Sequence, residues 1–460
     1  MESYRNIIIG SGYAGKAMAW HRAQQGESTI CIERSHLGGA CPNIACLPTK
    51  NIIRSAKAAA FVRKAANFGI SVGEISVHIT KVVKRKSDMV EDIGKHLAEV
   101  FKDSGAEVAY GEAAFVGPMT IQISLKAGGS RILQGERIFI ATGTKANIPD
   151  IPGLRESDPL THVEALDIAK LPEHLVILGG GYVGLELAET FRRFGSRVTL
   201  INRDHRLLKN EDPDVSEAME ELMKDEGVEI LNDARITRVE GTSGKSLSVH
   251  ITRHGMTETL AATDLLVAAG RIPNTVSLAP DVGGIAVDAQ RFIKVNDRLE
   301  TNIPNVWAMG EVAGSPQFTH VASDDFSIVR DNLAGGNRST KGRLVPAVLF
   351  TDPELARVGL NELEAKARGI KYRIAHTPMA AVLRMITISE TRGFAKALIG
   401  EDDRILGLTV FGAEASEMLA AVQTAMLAGV PYSIFLNSIL PHPTAMEGLA
   451  VLFANVPPKA

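Results

Sequence analysis

Cysteine is scarce. The 460 residues contain three, Cys31, Cys41 and Cys46, too few for a secreted scaffold stapled by disulfides. Aromatic residues are also sparse, at 5%. No charge of one sign dominates. The formal net charge is −3, which offers no basic footprint for nucleic acid or an anionic membrane. No apolar run reaches the ~20 residues a bilayer-spanning helix requires. The short run Ile7-Ile8-Ile9 passes into a glycine turn, not a cleavage site, so no secretory leader is predicted and the expected setting is cytoplasmic.

What is present is ordinary globular material, 45% hydrophobic and 22% charged, with glycine abundant at 42 residues. The length predicts about three domains. Arg5–Ile9 reads as a buried strand, followed by a glycine turn, a helix to about Gln25, and a second strand from Ser28 to Glu33. Residues 42–62 and 78–103 have helical composition, and residues 106–141 read as short strands with glycine turns. From Leu175 the device repeats. Val176–Leu178 is the strand, Leu185–Phe194 the helix, and Val198–Ile201 the next strand. After about residue 345 no phosphate loop recurs, which predicts a separate C-terminal domain.

The first turn spells G-x-G-x-x-G at Gly10, Gly12 and Gly15. The first glycine permits the tight turn, the second lets a pyrophosphate approach the backbone, and the third lets helix and strand pack closely. The helix N-terminus then faces the phosphates with unpaired N–H groups. Glu33 ends the next strand, where an acid hydrogen-bonds a ribose. The second copy is Gly179, Gly181 and Gly184. Its ribose position holds Asn202 in place of an acid, with Arg203 next and Lys209 nearby, a pattern that favours a 2′-phosphate and hence NADPH over NADH. Two nucleotide sites imply two nucleotides. The economical pair is a flavin, FAD, as resident relay and a nicotinamide as hydride donor.

Cys41 and Cys46 are five residues apart. In one regular helix that separation rises about 7.5 Å, too far for a relaxed disulfide. Pro42 suits a first helical position, which predicts Cys41 just outside the helix and the pair closing across its first turns. A helix N-terminus lowers a thiol pKa, and Lys50, one turn beyond Cys46, adds positive charge. A redox pair is the leading reading, with an inert buried pair and a metal site as alternatives. Cys31, in the second strand, reads as core.

The segment Gly38-Gly39-Ala40-Cys41-Pro42-Asn43-Ile44-Ala45-Cys46-Leu47-Pro48-Thr49-Lys50 resembles the redox-active segment of the pyridine nucleotide–disulfide oxidoreductases. Further marks of that family follow in order. They are Ala141-Thr142-Gly143, Ala269-Gly270-Arg271-Ile272-Pro273-Asn274, Thr301 to Gly310-Glu311, and His442-Pro443-Thr444-Ala445-Met446-Glu447. The resemblance runs from about residue 4 to 450 and is nearest to the mercuric-reductase-like and reactive-chlorine-resistance branch.

The resemblance implies an α/β fold in which an FAD domain (1–148 and 271–343) is split by an NAD(P) domain (149–270) and followed by a dimerisation domain (344–460). It implies an enzyme that passes a hydride from NAD(P)H to FAD and on to a Cys41–Cys46 disulfide. Cys46 would face the flavin and Cys41 the substrate. Lys50 and Glu186 would pair beside the flavin, and Tyr182 would gate the nicotinamide pocket. His442, oriented by Glu447, would be the acid–base for the partner subunit of a homodimer. Thr142, Gly143, Gly310 and Glu311 would join the FAD set, and Gly270 the NAD(P) set.

Four positions depart from the family. Ala40, Pro42 and Ala45 replace the usual Thr, small aliphatic residue and Gly, and Glu311 replaces Asp. Gly184 stands where NADPH-specific members often carry Ala, a mark on the NADH side. The expected acceptor is a small disulfide, a thiol oxidant or a metal ion. A mercuric reductase is the runner-up, because such an enzyme keeps a further cysteine pair near its C-terminus and no cysteine follows Cys46 here. A lipoamide dehydrogenase fits less well, because Asn202 stands where it keeps an acid. A flavin-binding sensor with little turnover is the reading from another class.

Overall fold

The computed structural model describes residues 1–459. The first unit begins with β1 (Glu2–Ile9), α1 (Tyr13–Gln24) and β2 (Thr29–Glu33). It continues through α2 (Ala40–Asn43), α3 (Cys46–Arg63) and α4 (Ile79–Ser104) to the strands β3 (Glu107–Gly117), β4 (Thr120–Leu125) and β5 (Ser130–Ile140). β1 pairs in parallel with both β2 and β5. β3, β4 and β5 form an antiparallel meander, with β3 and β5 each 11 residues long, so these strands are not the short ones the sequence pattern predicts. Ile7, Ile8 and Ile9 are at most 3% exposed, the near-continuous apolar run of a strand covered on both faces.

Next come the short β6 (Thr144–Ala146) and then a second parallel unit. Its elements are β7 (His174–Leu178), α5 (Tyr182–Phe194), β8 (Arg197–Ile201), α6 (Pro213–Asp225) and β9 (Glu229–Leu231). β10 (Ala234–Thr242), β11 (Ser246–Arg253) and β12 (Met256–Ala262) make a separate antiparallel sheet. β13 (Asp264–Val267) then returns beside β7, giving the order β13-β7-β8-β9. β14 (Arg271–Pro273) pairs with β6, and β15 (Val306–Ala308) rejoins the first sheet beside β5, followed by α7 (Thr319–Leu333). The chain thus leaves the first sheet, builds the second, and comes back.

The last unit is a five-stranded antiparallel sheet. Its strands are β16 (Ala347–Leu349), β17 (Glu354–Gly359), β18 (Arg373–Pro378), β19 (Phe394–Ile399) and β20 (Ile405–Gly412), in the order β16-β17-β20-β19-β18. Helices α8 (Glu362–Ala367) and α9 (Leu383–Thr387) lie between strands, and α10 (Ala415–Ala428), α11 (Ser433–Asn437) and α12 (Glu447–Ala454) follow. Among the described residues no helix is long and apolar enough to cross a membrane.

One core holds the redox helix in place. Ile52 and Ala56 of α3 pack in the same cluster as Leu185 and Phe191 of α5 and Leu349 and Phe411 of the last sheet. Arg193 of α5 reinforces the junction by pairing with Glu226 at 2.7 Å and Asp352 at 2.8 Å.

The structure corrects the helix expected over 42–62. Cys41 lies inside the short α2, the backbone breaks at Ile44 and Ala45, and α3 begins at Cys46. Pro48 supplies the reason. In one continuous helix it would be interior, without a donor for the Ile44 carbonyl. At the third position of a new helix its missing N–H is one that has no helical partner anyway.

Candidate active site

The C-terminal ends of β1, β2 and β5 open into a cavity of about 410 Å³. Its floor is the first glycine turn. Gly10 has a φ of +94°, and a Cβ there would stand 2.5 Å from the Ala141 carbonyl oxygen. A Cβ on Gly15 would lie 2.0 Å from the Gly10 oxygen, so α1 can approach β1 only with glycine at that position. Gly12 lines the cavity with its backbone. Glu33 is buried, and its carboxylate accepts from the Ser11 N–H at 3.0 Å, the Ser11 hydroxyl at 2.6 Å and the Ser35 N–H at 2.8 Å.

Thr142, Gly143, Gly310 and Glu311 complete the wall. The Thr142 Oγ1 is buried without a hydrogen-bond partner in the protein. An unmet hydroxyl beside a glycine cradle at the ends of parallel strands fits a dinucleotide, whose phosphates and polyol chain carry the acceptors that would satisfy it.

The cysteine segment lies against this turn. A Cβ on Gly39 would meet the Gly12 Cα at 2.6 Å, so only glycine lets the two loops touch. Asn43 locks the loop by donating to the carbonyls of Leu37 at 3.0 Å and Gly39 at 2.7 Å. Cys41 lines the cavity. Cys46 is the first residue of α3 and sits 3.5 Å from the Oγ1 of Thr319, itself on the cavity wall. Cys41 thus belongs to the cavity lining, and the Cys46 sulfur borders it through Thr319.

The two thiols are held differently. The Cys46 thiol is lowered to about 6. The hydrogen bond from Cys41 contributes most, the Thr319 hydroxyl and the Lys50 ammonium add to it, and together they outweigh burial and the Glu311 charge. Its place in the first turn of α3 acts in the same direction. Cys41 is pushed up by donating to Cys46, by burial and by the Cys46 charge. Lys50 donates to both oxygens of the buried Glu186, at 2.9 and 2.7 Å, and its ammonium lies 4.7 Å from the centre of the Phe350 ring.

Glu311 is not a free substitute for the family's Asp. Its carboxylate accepts from Arg271 Nε at 3.2 Å and from the Thr144 hydroxyl, which in turn accepts from the same Nε at 2.6 Å. Arg271 also approaches His162 Nε2 at 3.4 Å. Burial, with the Arg271 charge, lowers His162 to about 4.

The second glycine turn repeats the geometry of the first. Gly179 has a φ of +120° and faces the Ala268 carbonyl, Gly184 faces the Gly179 oxygen at 2.0 Å, and Gly181 meets nothing within 4 Å. Gly270, with a φ of +95°, is equally open. The Asn202 amide turns into its own loop, donating to the carbonyls of Asp204 at 2.9 Å and Arg206 at 3.0 Å and to Asn232 at 2.9 Å. It shapes the turn that carries Arg203, whose guanidinium is largely exposed. Arg203 and Lys209 both approach Asp204, at 3.8 and 3.3 Å. Tyr182 begins α5, its hydroxyl 3.5 Å from Glu211, and burial raises its pKa.

His442 and Glu447 meet as expected, Nδ1 lying 3.1 Å from each carboxylate oxygen. They stand on the last unit, with His442 exposed, and the cavity that Cys41 lines does not include them. The structure therefore brings together Cys41, Cys46, Lys50 and Glu186, and keeps His442 and Glu447 apart from them within one chain.

Sequence reasoning missed Thr319, His162 and the grip of Arg271 on Glu311. Thr319 lies 273 residues from Cys46 and in no motif. Arg271 stood inside a quoted motif, and an Arg in a segment paired with an acidic one was the available signal.

Comparison with known proteins agrees with this architecture. Residues 4–325 match the model of the family described as pyridine nucleotide-disulphide oxidoreductase, and residues 345–452 match its dimerisation domain. The chain is 36% identical over 463 residues to the probable pyridine nucleotide-disulfide oxidoreductase RclA of Escherichia coli (strain K12), covering 99% of this chain and 100% of that protein. It is 33% identical over 451 residues to a mercuric reductase of Lysinibacillus sphaericus, covering 97% and 82%. Among solved structures, the HOCl-induced flavoprotein disulfide reductase RclA from Escherichia coli superposes with a TM-score of 0.89 at 35% identity, covering 98% and 99%. Its Cu(II) complex superposes with a TM-score of 0.90 at 35% identity, covering 99% of each chain.

Proposed function

The chain belongs to the pyridine nucleotide-disulphide oxidoreductases, as a flavoprotein disulfide reductase carrying the family's dimerisation domain, and within that family we propose that it reduces a small thiol-derived oxidant with electrons from NADPH. The observation that carries this reading is the Cys41–Cys46 pair beside the dinucleotide cavity, with one thiol held low and the other high. FAD, when bound, supplies the relay between nicotinamide and disulfide. Gly10, Gly12, Gly15, Glu33, Thr142, Gly143, Gly310 and Glu311 would hold it. Gly179, Gly181, Tyr182, Gly184, Asn202, Arg203 and Gly270 would hold the nicotinamide nucleotide. The domain limits we propose are 1–148 with 271–343 for FAD, 149–270 for NADPH and 344–460 for dimerisation.

In the reduced pair, Lys50, fixed by Glu186, stabilises the Cys46 thiolate. Cys41 gives its proton to His442 of the partner subunit and attacks one sulfur of the acceptor disulfide, forming a mixed disulfide and expelling a thiolate. His442 of the partner subunit, oriented by Glu447, protonates that leaving group. The Cys46 thiolate then attacks the Cys41 sulfur, closing the Cys41–Cys46 disulfide and expelling a second thiolate, which takes a proton from water. Two electrons and two protons have reached the acceptor.

A metal-ion acceptor is the second reading, because a solved relative is described as a Cu(II) complex. Mercuric ion is less favoured, since no cysteine follows Cys46. Steady-state oxidation of NADPH and NADH, measured against small disulfides, hypothiocyanite, quinones, Cu(II) and Hg(II), tests both readings. Turnover that survives loss of Cys41 for every acceptor would sink them.

A further inference from the structure

The hydroxyl of Tyr182 is tied, through one carboxylate, to the last unit of the chain. Tyr182 is the first residue of α5, and its ring meets Phe318 edge-on with the centroids 6.4 Å apart. Phe318 lines the cavity one residue before Thr319. Among the described residues the Tyr182 hydroxyl has one hydrogen-bond partner, Glu211 Oε1 at 3.5 Å. Glu211 is 4% exposed. Its other oxygen lies 3.2 Å from Arg357 Nε on β17, paired in charge but accepting no aligned hydrogen bond. Arg357 is fixed in turn by Glu364 of α8 at 3.0 Å. The same unit grips both neighbours of Glu211. The Asn210 carbonyl accepts from Asn361 Nδ2 at 2.8 Å. The Asp212 carboxylate accepts from the Glu362 and Leu363 N–H groups at 3.1 and 3.0 Å and pairs with the buried Lys396 at 2.8 Å. Three consecutive residues, at the end of the loop that carries Arg203 and Lys209, are therefore clamped from outside, and Glu211 stays in place if the Tyr182 ring moves.

We infer that Glu211, anchored by Arg357, is a positioning residue for Tyr182. It latches the ring in a resting position over the nicotinamide pocket, and the incoming nicotinamide must break the phenol–carboxylate hydrogen bond. The inference rests on the reading of Tyr182 as the gate of that pocket. A gate needs a resting state that is favoured without being fixed. A hydrogen bond of 3.5 Å is long, so little opposes its rupture. Departure of the phenol leaves the buried carboxylate paired with Arg357, so no charge is stranded. Burial raises the Tyr182 phenol, which keeps its proton and remains the donor. Burial also raises Glu211, and the Arg357 charge opposes that rise. The latch weakens apparent nucleotide binding in proportion to the share of enzyme it holds closed. A residue of the last unit thereby governs entry to the first step of the reaction.

The test follows reduction of the FAD-loaded enzyme by NADPH in anaerobic stopped flow, which yields an apparent Kd and a limiting rate separately. Tyr182→Phe keeps the ring and removes the donor. Its apparent Kd should fall about 2- to 10-fold, the factor one net hydrogen bond supplies, with little change in limiting rate. Glu211→Met removes the acceptor and should lower Kd in the same way, while Glu211→Gln, which can still accept, should restore part of the wild-type value. Arg357→Met, which frees the carboxylate, should act in the same direction. Neither Glu211→Met nor Arg357→Met should add anything in the Tyr182→Phe background. An effect of either that persists undiminished there marks a merely structural role and overturns the latch. Tyr182→Ala removes the ring and tests the gate itself. A Kd moved by Tyr182→Ala but not by Tyr182→Phe overturns the latch and leaves the gate standing. A Kd moved by neither overturns the gate and the latch with it.

Discussion

Glu186 holds the Lys50 ammonium with both carboxylate oxygens, while the backbone N–H of Phe350 donates to one of them at 3.0 Å. A residue of α5 thereby fixes a cation one turn beyond Cys46 on α3. Lys50→Met should raise the Cys46 midpoint from about 6 by part of its depression, since Cys41 contributes the larger share. It should also leave the buried carboxylate uncompensated, costing roughly 1–3 kcal/mol, discounted because Lys50 is one-third exposed. Thiolate absorbance against pH and chemical denaturation read the two effects separately.

The two sulfurs should fail differently. Cys41→Ser should retain NADPH-driven quinone reduction, lose disulfide reduction, and show long-wavelength absorbance from the remaining Cys46 thiolate against bound FAD. Cys46→Ser should lose both that absorbance and disulfide turnover. The spectrum decides which sulfur stands against the flavin. The band appearing only in Cys46→Ser would reverse the assigned order.

Preference for NADPH should depend on Arg203. Arg203→Glu should lower kcat/KM for NADPH on the order of 10–150-fold and spare NADH, since one charge-assisted contact to phosphate contributes roughly 1.5–3 kcal/mol. Asp204 already draws on both Arg203 and Lys209, so Asp204→Asn should favour NADPH further. A wild type that uses NADH better would refute the reading of Asn202 and Arg203.

His162 predicts a specific acid sensitivity. Its folded pKa, about 4, lies below its ordinary 6.5, so the unfolded chain binds the extra proton. The stability associated with neutral His162 is fully present above about pH 6.5 and is lost as pH falls toward 4. The loss is at most about 3 kcal/mol. His162→Gln should narrow the drop in Tm between pH 7 and pH 5, and an unchanged drop would show that His162 does not set it.

The last unit should join two copies. Ile439 is fully exposed three residues before His442, and Leu427 is 70% exposed on α10. Ile439→Asp should shift sedimentation toward monomer and reduce acceptor turnover together, because each site would lose its acid–base. A fully active monomer would contradict the placement of His442.

The sequence alone determined the features whose causes are local. Gly10 and Gly15 are five residues apart and meet in the same turn, so the spacing states the geometry, and the same holds for Gly179 and Gly184. His442 and Glu447 pair within one short segment for the same reason. Pro48 also carried the start of α3, although the reading gave the helix to Pro42 instead.

Tertiary structure decided which thiol is acidic and what stands beside it. Thr319 reaches Cys46 from 273 residues away and Glu186 reaches Lys50 from 136. The cysteine loop reaches the first glycine turn only because Gly39 can rest on Gly12. A pKa is set by burial and by charges within a few ångströms, whatever their place in the chain. Backbone turns can therefore be read from spacing, whereas the chemistry of the sulfurs depends on long-range packing that no motif records.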